Sequence, residues 1–359
     1  MCKPGTKCSG MNCSIATSTL PPCVPGTKIL LRLSISYAGC MPTCGLFGAQ
    51  LDMTLQRLKL EFFYLRKAAF QYRALGRYVY NRWVLSKKIL RRSTPLEKSI
   101  TAPQLSMHVL TCHRDIIMTL WALGSFYARC SQIGRLFIHN DGTLTAADIA
   151  VLKKFFPSAT IDDTRTFPQR YAQQLSAYPD WQRIREENAH AFSIKKIIDP
   201  QFVSSAPLRL ILDTDILWLQ QPIELEHAIA AGCPNALMQR DPGQLQLTFK
   251  DGEKFPDEFA SYNAGIILYA QRNFNRQRFS DFLRRLDRSR GRGLHFLDQA
   301  GYAYSLENLQ ALPPDRYAVR EKLSGNVAAK HYTSPRRPLL YIEGLPQLQT
   351  ILLSNSNAI

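Results

Sequence analysis

Predicted strands alternate with predicted amphipathic helices after residue 104, and this alternation restricts the fold more than any other feature of the chain. The spacing of apolar residues predicts strands at 105–111 and 136–139 and helices at 115–128 and 149–156. Thr145 and Asp148 have the spacing of a capping box ahead of the second helix. Chains of this pattern form α/β domains, in which ligands bind at the carboxyl ends of the strands. We therefore predict an α/β fold with a mostly parallel central sheet and flanking helices.

The positive charge is concentrated at the N-terminus. The 359 residues contain 45 Lys and Arg against 28 Asp and Glu, a formal net charge of +17. Residues 1–100 contain 16 of these bases and only three acids, whereas residues 101–359 contain 29 bases and 25 acids. A nucleic-acid enzyme usually has a basic groove through its catalytic domain. The nearly balanced larger part excludes nucleic acid as the expected partner.

Three regions follow from composition. Residues 1–52 hold six of the nine cysteines without a C-x-x-C pair, and we predict a Cys/Pro/Gly-rich leader without a core, for which Met41 or Met53 is an alternative start. Residues 53–100 form a basic segment and linker, and residues 101–359 the main domain. No run of 18 apolar residues is present, so neither a membrane span nor a secretory signal is predicted.

The basic segment, residues 53–92, has apolar residues alternately three and four positions apart, which predicts a continuous amphipathic helix. Its many Lys and Arg residues are interleaved with aromatic residues. This composition fits the surface of an anionic membrane, and it equally fits packing on the main domain or on a second subunit. The sequence leaves both interpretations open.

An Asp-Thr-Asp turn is the strongest chemical signal. The apolar run at 208–212 leads directly into Asp213 and Asp215, with a second apolar run behind them. Two neighbouring carboxylates between apolar segments repel each other unless a cation compensates them, and hard carboxylate oxygens suit Mg²⁺ or Mn²⁺. The alternative is a strand-end Asp that caps a turn.

The run LRLILDTDILWLQQPIEL at 208–225 resembles the Asp-x-Asp segment of nucleotide-sugar glycosyltransferases of the GT-A fold. Three later segments follow in that family's order: YNAGIIL at 262–268, LDQ at 297–299 and HYTSPRRP at 331–338. The last is similar to the H-x-x-G-x-x-K-P signature of the retaining glycogenin and lipopolysaccharide galactosyltransferase family, known as glycosyltransferase family 8. The resemblance covers roughly residues 105–345.

The resemblance implies a role for each matching residue. It implies metal ligands Asp213, Asp215 and His331, residues Asp298 and Gln299 at the reacting sugar, and donor-binding residues Thr111, Lys195, Asn263, Gly265, Ser334 and Arg337. Lys196 competes with Lys195 for the same role. Ser334 replaces the family's Gly and Arg337 its Lys, and Arg keeps a charge suited to phosphate. The other histidines and acids, including His139, His295 and Asp241, are expected in structural or exposed positions.

The implied reaction moves a sugar from a nucleotide-diphosphate sugar, with a UDP-sugar as the expected donor, to a glycan or lipid-linked acceptor with retention. Mn²⁺ or Mg²⁺ is the implied cofactor, and the cytoplasm, at the inner face of the membrane, is the expected location.

Two alternative functions come from other classes of protein. A haloacid-dehalogenase-type phosphatase also has an Asp-x-Asp after an apolar strand, and a non-catalytic scaffold could keep the fold while it binds anionic surfaces.

Overall fold

The structure is a computed structural model that describes residues 58–354 except 189, 190, 242, 244, 246 and 288–295. The predicted leader, residues 1–52, and His295 lie outside the described residues. The domain boundaries drawn from the sequence therefore stay predictions.

The central sheet has seven strands, and six of them run in the same direction. In spatial order the strands are β3 (Thr160–Asp163), β2 (Arg135–Asn140), β1 (Leu105–Thr111), β4 (Leu208–Leu212), β7 (Tyr262–Ala270), β6 (Ala236–Arg240) and β8 (Leu309–Ala311). Only β7 is reversed, since it pairs antiparallel with both β4 and β6. The mostly parallel, Rossmann-like sheet with flanking helices that the sequence predicts is confirmed.

A second sheet of three short strands lies beyond the turn that follows β4. It consists of β5 (Ile216–Trp218), β10 (Ala329–His331) and β9 (Tyr317–Ala318), with β10 in the middle. The antiparallel pairing of β10 with β5 places His331 opposite Ile216. Two residues more than 110 positions apart in sequence are therefore held side by side.

Helices cover both faces of the central sheet. The α-helices after β1 are α1 Ile116–Arg129, α2 Ala146–Phe155, α3 Phe167–Arg170, α4 Ala172–Leu175, α5 Pro179–Glu187, α6 Phe192–Ile198, α7 Ile223–Ala230, α8 Asp257–Ala260, α9 Arg276–Arg285, α10 Leu297–Ser305, α11 Arg337–Leu339 and α12 Leu345–Leu353. Shorter helical turns are His113–Asp115, Asp199–Gln201, Gln271–Asn273, Ser334–Arg336 and Leu340–Gly344. The capping box predicted for α2 is confirmed, because Thr145 and Asp148 exchange both of its hydrogen bonds. Two apolar cores result, one on each face of the sheet.

The N-terminal helical segment, residues 58–91, is broken rather than continuous, so the prediction of one uninterrupted helix is wrong. Its first part ends at Gln71 and its second begins at Leu75, with Arg73 in the left-handed region at a φ of 50°. A straight helix would separate Ala68 and Tyr78 by about 15 Å and turn them to different faces. The break lets both side chains pack into one small core with Ile342.

Within the part of the chain that the structure describes, no helix combines the length and apolarity needed to cross a bilayer.

Candidate metal and donor site

The Asp-Thr-Asp turn lies where β4 leaves the central sheet and β5 begins. The strand before it and the strand after it are fully buried, so the turn is fixed at both ends. The backbone N–H of Asp213 donates a hydrogen bond of 2.9 Å to the carbonyl of Gly265 on β7. Asp215 is buried, whereas Asp213 is partly exposed. The two carboxylates are therefore held at the carboxyl edge of the sheet.

His331, at the end of β10, brings a nitrogen to both carboxylates. Its Nε2 lies 3.0 Å from Asp215 Oδ1 and 3.5 Å from Asp213 Oδ2. One ligand atom from each of these three residues fits within a span of 4.8 Å. The structure thus brings together the three residues for which the sequence implies a shared metal ion.

Asn263 fixes the orientation of the imidazole. Its side-chain oxygen accepts a hydrogen bond from the backbone N–H of Gly265 at 2.8 Å and lies 2.8 Å from His331 Nδ1. Because that oxygen can only accept, Nδ1 must carry a proton and donate it. The other nitrogen, Nε2, is then the one directed at the carboxylates, as a metal-binding histidine requires.

Electrostatics separate the two aspartates. Burial raises the pKa of Asp213 above its usual value despite the nearby Lys196 and His331 cations. Burial acts in the same sense on Asp215, but His331 and Arg337 outweigh it and hold the pKa of that carboxyl well below its usual range. Burial alone would lower the pKa of His331, yet the two carboxylates raise it. The imidazole Nε2 lies within 3.5 Å of both carboxylates.

Lys196, on α6, is the cation that contacts Asp213. Its Nζ lies 2.6 Å from Asp213 Oδ1 and 3.2 Å from Asp298 Oδ2, and it donates to the carbonyl of Ala264 at 2.8 Å. Lys195, the lysine preferred from the sequence, points elsewhere and donates to the backbone carbonyl of Asp141. The geometry therefore favours Lys196 over Lys195 at the carboxylate pair.

Arg337 approaches Asp215 from the opposite side. Its Nε donates to Asp215 Oδ2 at 3.0 Å, and its Nη1 lies 3.6 Å from Asp115 Oδ1. The guanidinium is at the first residue of α11, directly after the turn Ser334–Arg336. The sequence replaces the family's lysine with a group that can bind a phosphate in a bidentate manner.

Two cavities meet at these side chains. The β1-side cavity has a volume of about 670 Å³, and the β7-side cavity about 840 Å³. Both are lined by Asp213, Asp298 and Ser334, so the carboxylate turn lies on the boundary between them. Lys196 and Arg337 line the first cavity. Four aspartates line the same cavity, so an anionic ligand there would require a bound cation that compensates the carboxylates.

Gln299 and Thr111, both implied at the donor by the sequence, differ in their access to the cavities. Gln299 lines the β7-side cavity next to Asp298. Thr111 is buried at the end of β1, and its hydroxyl bonds to that of Thr119 at 2.7 Å. The described lining of the β1-side cavity there comes instead from Cys112, Arg114 and Asp115. Direct contact of Thr111 with the donor is therefore not favoured.

Several residues that line the two cavities were not predicted from the sequence. Asp241, expected in an exposed loop, is buried, forms a short ion pair with Arg320 and lines the β7-side cavity. Leu60, from the N-terminal helical segment, lines the β1-side cavity. The Asp241–Arg320 pair joins loops 79 residues apart, and no local pattern in the sequence points to such a contact.

The donor set fits a divalent cation. Two carboxylates and one imidazole nitrogen converge, and the other imidazole nitrogen is held by Asn263, as the free nitrogen of a ligating histidine normally is by a hydrogen-bond partner. Carboxylate oxygens suit Mg²⁺ and Mn²⁺, and the imidazole nitrogen favours Mn²⁺ of the two. A bound cation would compensate the negative charge of both aspartates.

Comparison with solved structures finds glycosyltransferases. Mouse xyloside xylosyltransferase 1 in its apo form matches at 12% identity over 65% of this chain and 98% of its own, with a TM-score of 0.44. The galactosyltransferase LgtC, in complex with donor and acceptor sugar analogues, matches at 13% identity over 71% and 97%, with a TM-score of 0.43. The glycosyltransferase GlyE of Streptococcus pneumoniae matches at 10% identity over 69% and 62%, with a TM-score of 0.41.

Each of these three proteins is named as a glycosyltransferase. No family profile matches the chain, and no protein with a curated description matches it in sequence. Any activity must therefore be inferred from the chain's own residues.

Proposed function

We propose that this chain is a metal-dependent glycosyltransferase that moves a hexosyl group from a nucleotide-diphosphate sugar, with UDP as the expected nucleotide, to a glycan or lipid-linked acceptor. The observation that carries the proposal is the convergence of Asp213, Asp215 and His331 beside Arg337, at the boundary of two cavities. A cation site with a guanidinium next to it is an arrangement that suits a diphosphate.

Each residue has a role in this proposal. Asp213, Asp215 and His331 would hold Mn²⁺ or Mg²⁺, which when bound supplies positive charge against the phosphates of the donor. Arg337 contributes a second, fixed positive charge, which stabilises the negative charge that develops on the leaving diphosphate. Preorganised charges of this kind reorient little during the reaction and therefore lower its barrier.

The donor sugar would lie where the two cavities meet. Asp298 lines both cavities, and Gln299 lines the β7-side cavity. Glycosyl transfer passes through an oxocarbenium-like transition state, which nearby carboxylate and amide oxygens stabilise. We place Asp298 and Gln299 in that role, with the acceptor in the β7-side cavity. Retention of anomeric configuration is part of the proposal and rests on the sequence resemblance.

Lys196 keeps the carboxylates in place. It neutralises Asp213 and Asp298 together, since its Nζ lies within 3.2 Å of both. Without Lys196 the carboxylates of Asp213 and Asp298 would repel each other across the boundary between the cavities.

We also propose that the enzyme is located in the cytoplasm, at the inner face of the membrane.

The test is slow hydrolysis of UDP-, GDP- and ADP-sugars by the full chain with Mn²⁺, Mg²⁺ or EDTA. The proposal predicts metal-dependent release of one nucleotide, lost in Asp215→Asn, while a control substitution at the exposed His227 leaves it unchanged. Thermal unfolding shows whether Asp215→Asn still folds. Absence of turnover and of metal-dependent nucleotide binding would support a scaffold instead, and metal-dependent cleavage of a simple phosphate monoester would support a phosphatase.

A further inference from the structure

The N-terminal helical segment, residues 58–91, has one buried face and one exposed apolar face. Tyr64, Ala68, Tyr78, Leu85 and Ile89 are buried against the rest of the chain. Nine other large apolar side chains of the segment are 40–80% exposed, with Phe70 at 80% and Phe62 at 68%. Packing on the domain therefore uses only one of the segment's two apolar faces.

The exposed apolar side chains lie close together along the segment. Leu75, Val79 and Trp83 follow one another at intervals of four and share one side of the helix, and the exposed Tyr80 and Val84 lie next to them in sequence. Monomeric soluble proteins rarely expose continuous apolar patches larger than a few hundred Å², and larger ones mark interaction surfaces. The exposed apolar side chains of residues 58–91 therefore fit a partner that has an apolar interior.

The charge of the segment restricts what that partner can be. Residues 58–92 contain ten Lys and Arg and one acid, Glu61, which is paired with Arg82. A second copy of the chain would bring the same excess of positive charge against the first, and the two would repel each other. A nucleic acid would satisfy the charge but offers no apolar interior for leucine, valine and phenylalanine. An anionic bilayer offers both anionic headgroups and an apolar interior.

We propose that residues 58–91 form a docking surface for an anionic membrane, in which the exposed aromatic and aliphatic side chains enter the headgroup boundary and the flanking bases bind lipid phosphates. We call these exposed residues the docking face. Phe62, Phe70 and Trp83 are its apolar anchors, and Arg77 and Lys87 are exposed bases beside them.

The docking face is physically connected to the candidate site. Leu60 lines the β1-side cavity, the Tyr64 hydroxyl lies 3.3 Å from that of Ser334, and Lys67 Nζ donates to the carbonyl of Pro335 at 2.6 Å. The same helix that would touch lipid therefore also contacts the turn ahead of Arg337. This connection favours a lipid-linked acceptor over a soluble glycan, an inference that rests on the proposed function.

The test of docking needs neither donor nor acceptor, so it is independent of catalysis. The full chain is sedimented with vesicles of phosphatidylcholine alone and with vesicles containing about one-third phosphatidylglycerol. We expect binding to the anionic vesicles only, weakened by salt. Phe62→Ser/Trp83→Ser should reduce the partition coefficient about tenfold or more because it removes two apolar anchors. Arg77→Glu/Lys87→Glu should reduce it about tenfold or more because it removes two bases and adds two acids near the headgroups.

Matched controls lie elsewhere on the surface. Ile223→Ser removes an exposed apolar side chain outside the docking face, and Arg135→Glu/Lys254→Glu makes the same change in net charge on other elements. Both controls should bind as the unaltered chain does. Equal binding to both kinds of vesicle, or equal loss in the controls, would overturn the proposal. So would a dimer in sedimentation velocity that Phe62→Ser/Trp83→Ser dissociates while vesicle binding stays absent.

Discussion

His331 and Gly265 lie so close that a Cβ atom on residue 265 would be 2.4 Å from the imidazole Nδ1. The same Cβ would lie 2.7 Å from the side-chain oxygen of Gln239. A side chain at this position must therefore displace the histidine or the strand that carries it. The absence of a side chain on β7 is what allows β10 to bring His331 to the aspartates.

Gly265→Ala should weaken metal binding as well as the fold. Overpacking of a filled interior costs about 1–3 kcal/mol, and the displaced imidazole would no longer reach both carboxylates. We expect the affinity for Mn²⁺, measured by titration calorimetry, to fall about tenfold or more. Gly325→Ala, where an added Cβ meets nothing within 4 Å, is the matched control. Unaltered Mn²⁺ affinity in Gly265→Ala would show that His331 is not a ligand.

Lys196→Met should lower the free energy of unfolding and the rate of donor hydrolysis much more than Lys195→Met does. The first leaves Asp213 and Asp298 without their shared cation, and breaking a buried ion pair by removing one partner costs about 3–5 kcal/mol. The second removes one hydrogen bond to a backbone carbonyl, a loss of about 1 kcal/mol. Denaturant unfolding and donor hydrolysis, measured on both variants, check this. A larger loss of hydrolysis in Lys195→Met would show that Lys195, as the sequence suggests, is the functional lysine.

The buried histidine pair of β1 and β2 makes the fold sensitive to acid. Burial lowers the pKa of His139 to about 4, and His108, whose Nδ1 lies 3.1 Å from His139 Nε2, is lowered as well. The unfolded chain binds a proton near the ordinary pKa of histidine, about 6.5, whereas the folded chain resists it until about pH 4. Stability is therefore present above pH 6.5 and is lost as the pH falls to 4. His139 alone accounts for roughly 3 kcal/mol of that loss.

His139→Gln isolates this contribution. The free energy of unfolding, followed by urea denaturation between pH 7 and 4, should decline less steeply in the variant than in the unaltered chain. Replacement of the exposed His227 by Gln should leave the decline as it was. Parallel pH profiles for the unaltered chain and His139→Gln would mean that the pair does not control acid stability.

The contacts from the N-terminal helical segment to the turn Ser334–Arg336 should affect donor binding. Tyr64→Phe/Lys67→Met removes two contacts that fix the turn without touching the cavity's charged side chains. We expect the KM for the donor to rise about fivefold, the equivalent of one hydrogen bond, with little change in kcat. Arg66→Met, on the exposed side of the same helix, is the control. A lower kcat at unchanged KM would contradict a positioning role.

The parts of the fold that depend on local pattern were predictable from the sequence. The strand at 105–111 has the predicted bounds, and Thr145 with Asp148 forms the predicted capping box. The Asp-x-Asp turn follows a buried strand at the sheet's carboxyl edge, as its apolar flanks indicate. In each case a few adjacent residues contain the information.

The remaining features depend on tertiary packing. Lys195 and Lys196 are adjacent on α6, and only the helix's final rotation against β7 decides which one reaches Asp213. The break in the N-terminal helical segment near Arg73 depends on contacts with residues some 270 positions later. The helix or strand propensity of neighbouring residues does not indicate such distant contacts.

The most direct test of the central claim is a titration of Mn²⁺ followed by its electron paramagnetic resonance signal, with and without UDP. If Asp213, Asp215 and His331 hold the cation against a diphosphate, the free Mn²⁺ signal should fall with one site per chain, and UDP should tighten that binding. Asp215→Asn should abolish both effects while it keeps the fold. Binding that is unchanged in Asp215→Asn, or that UDP does not tighten, would contradict the account.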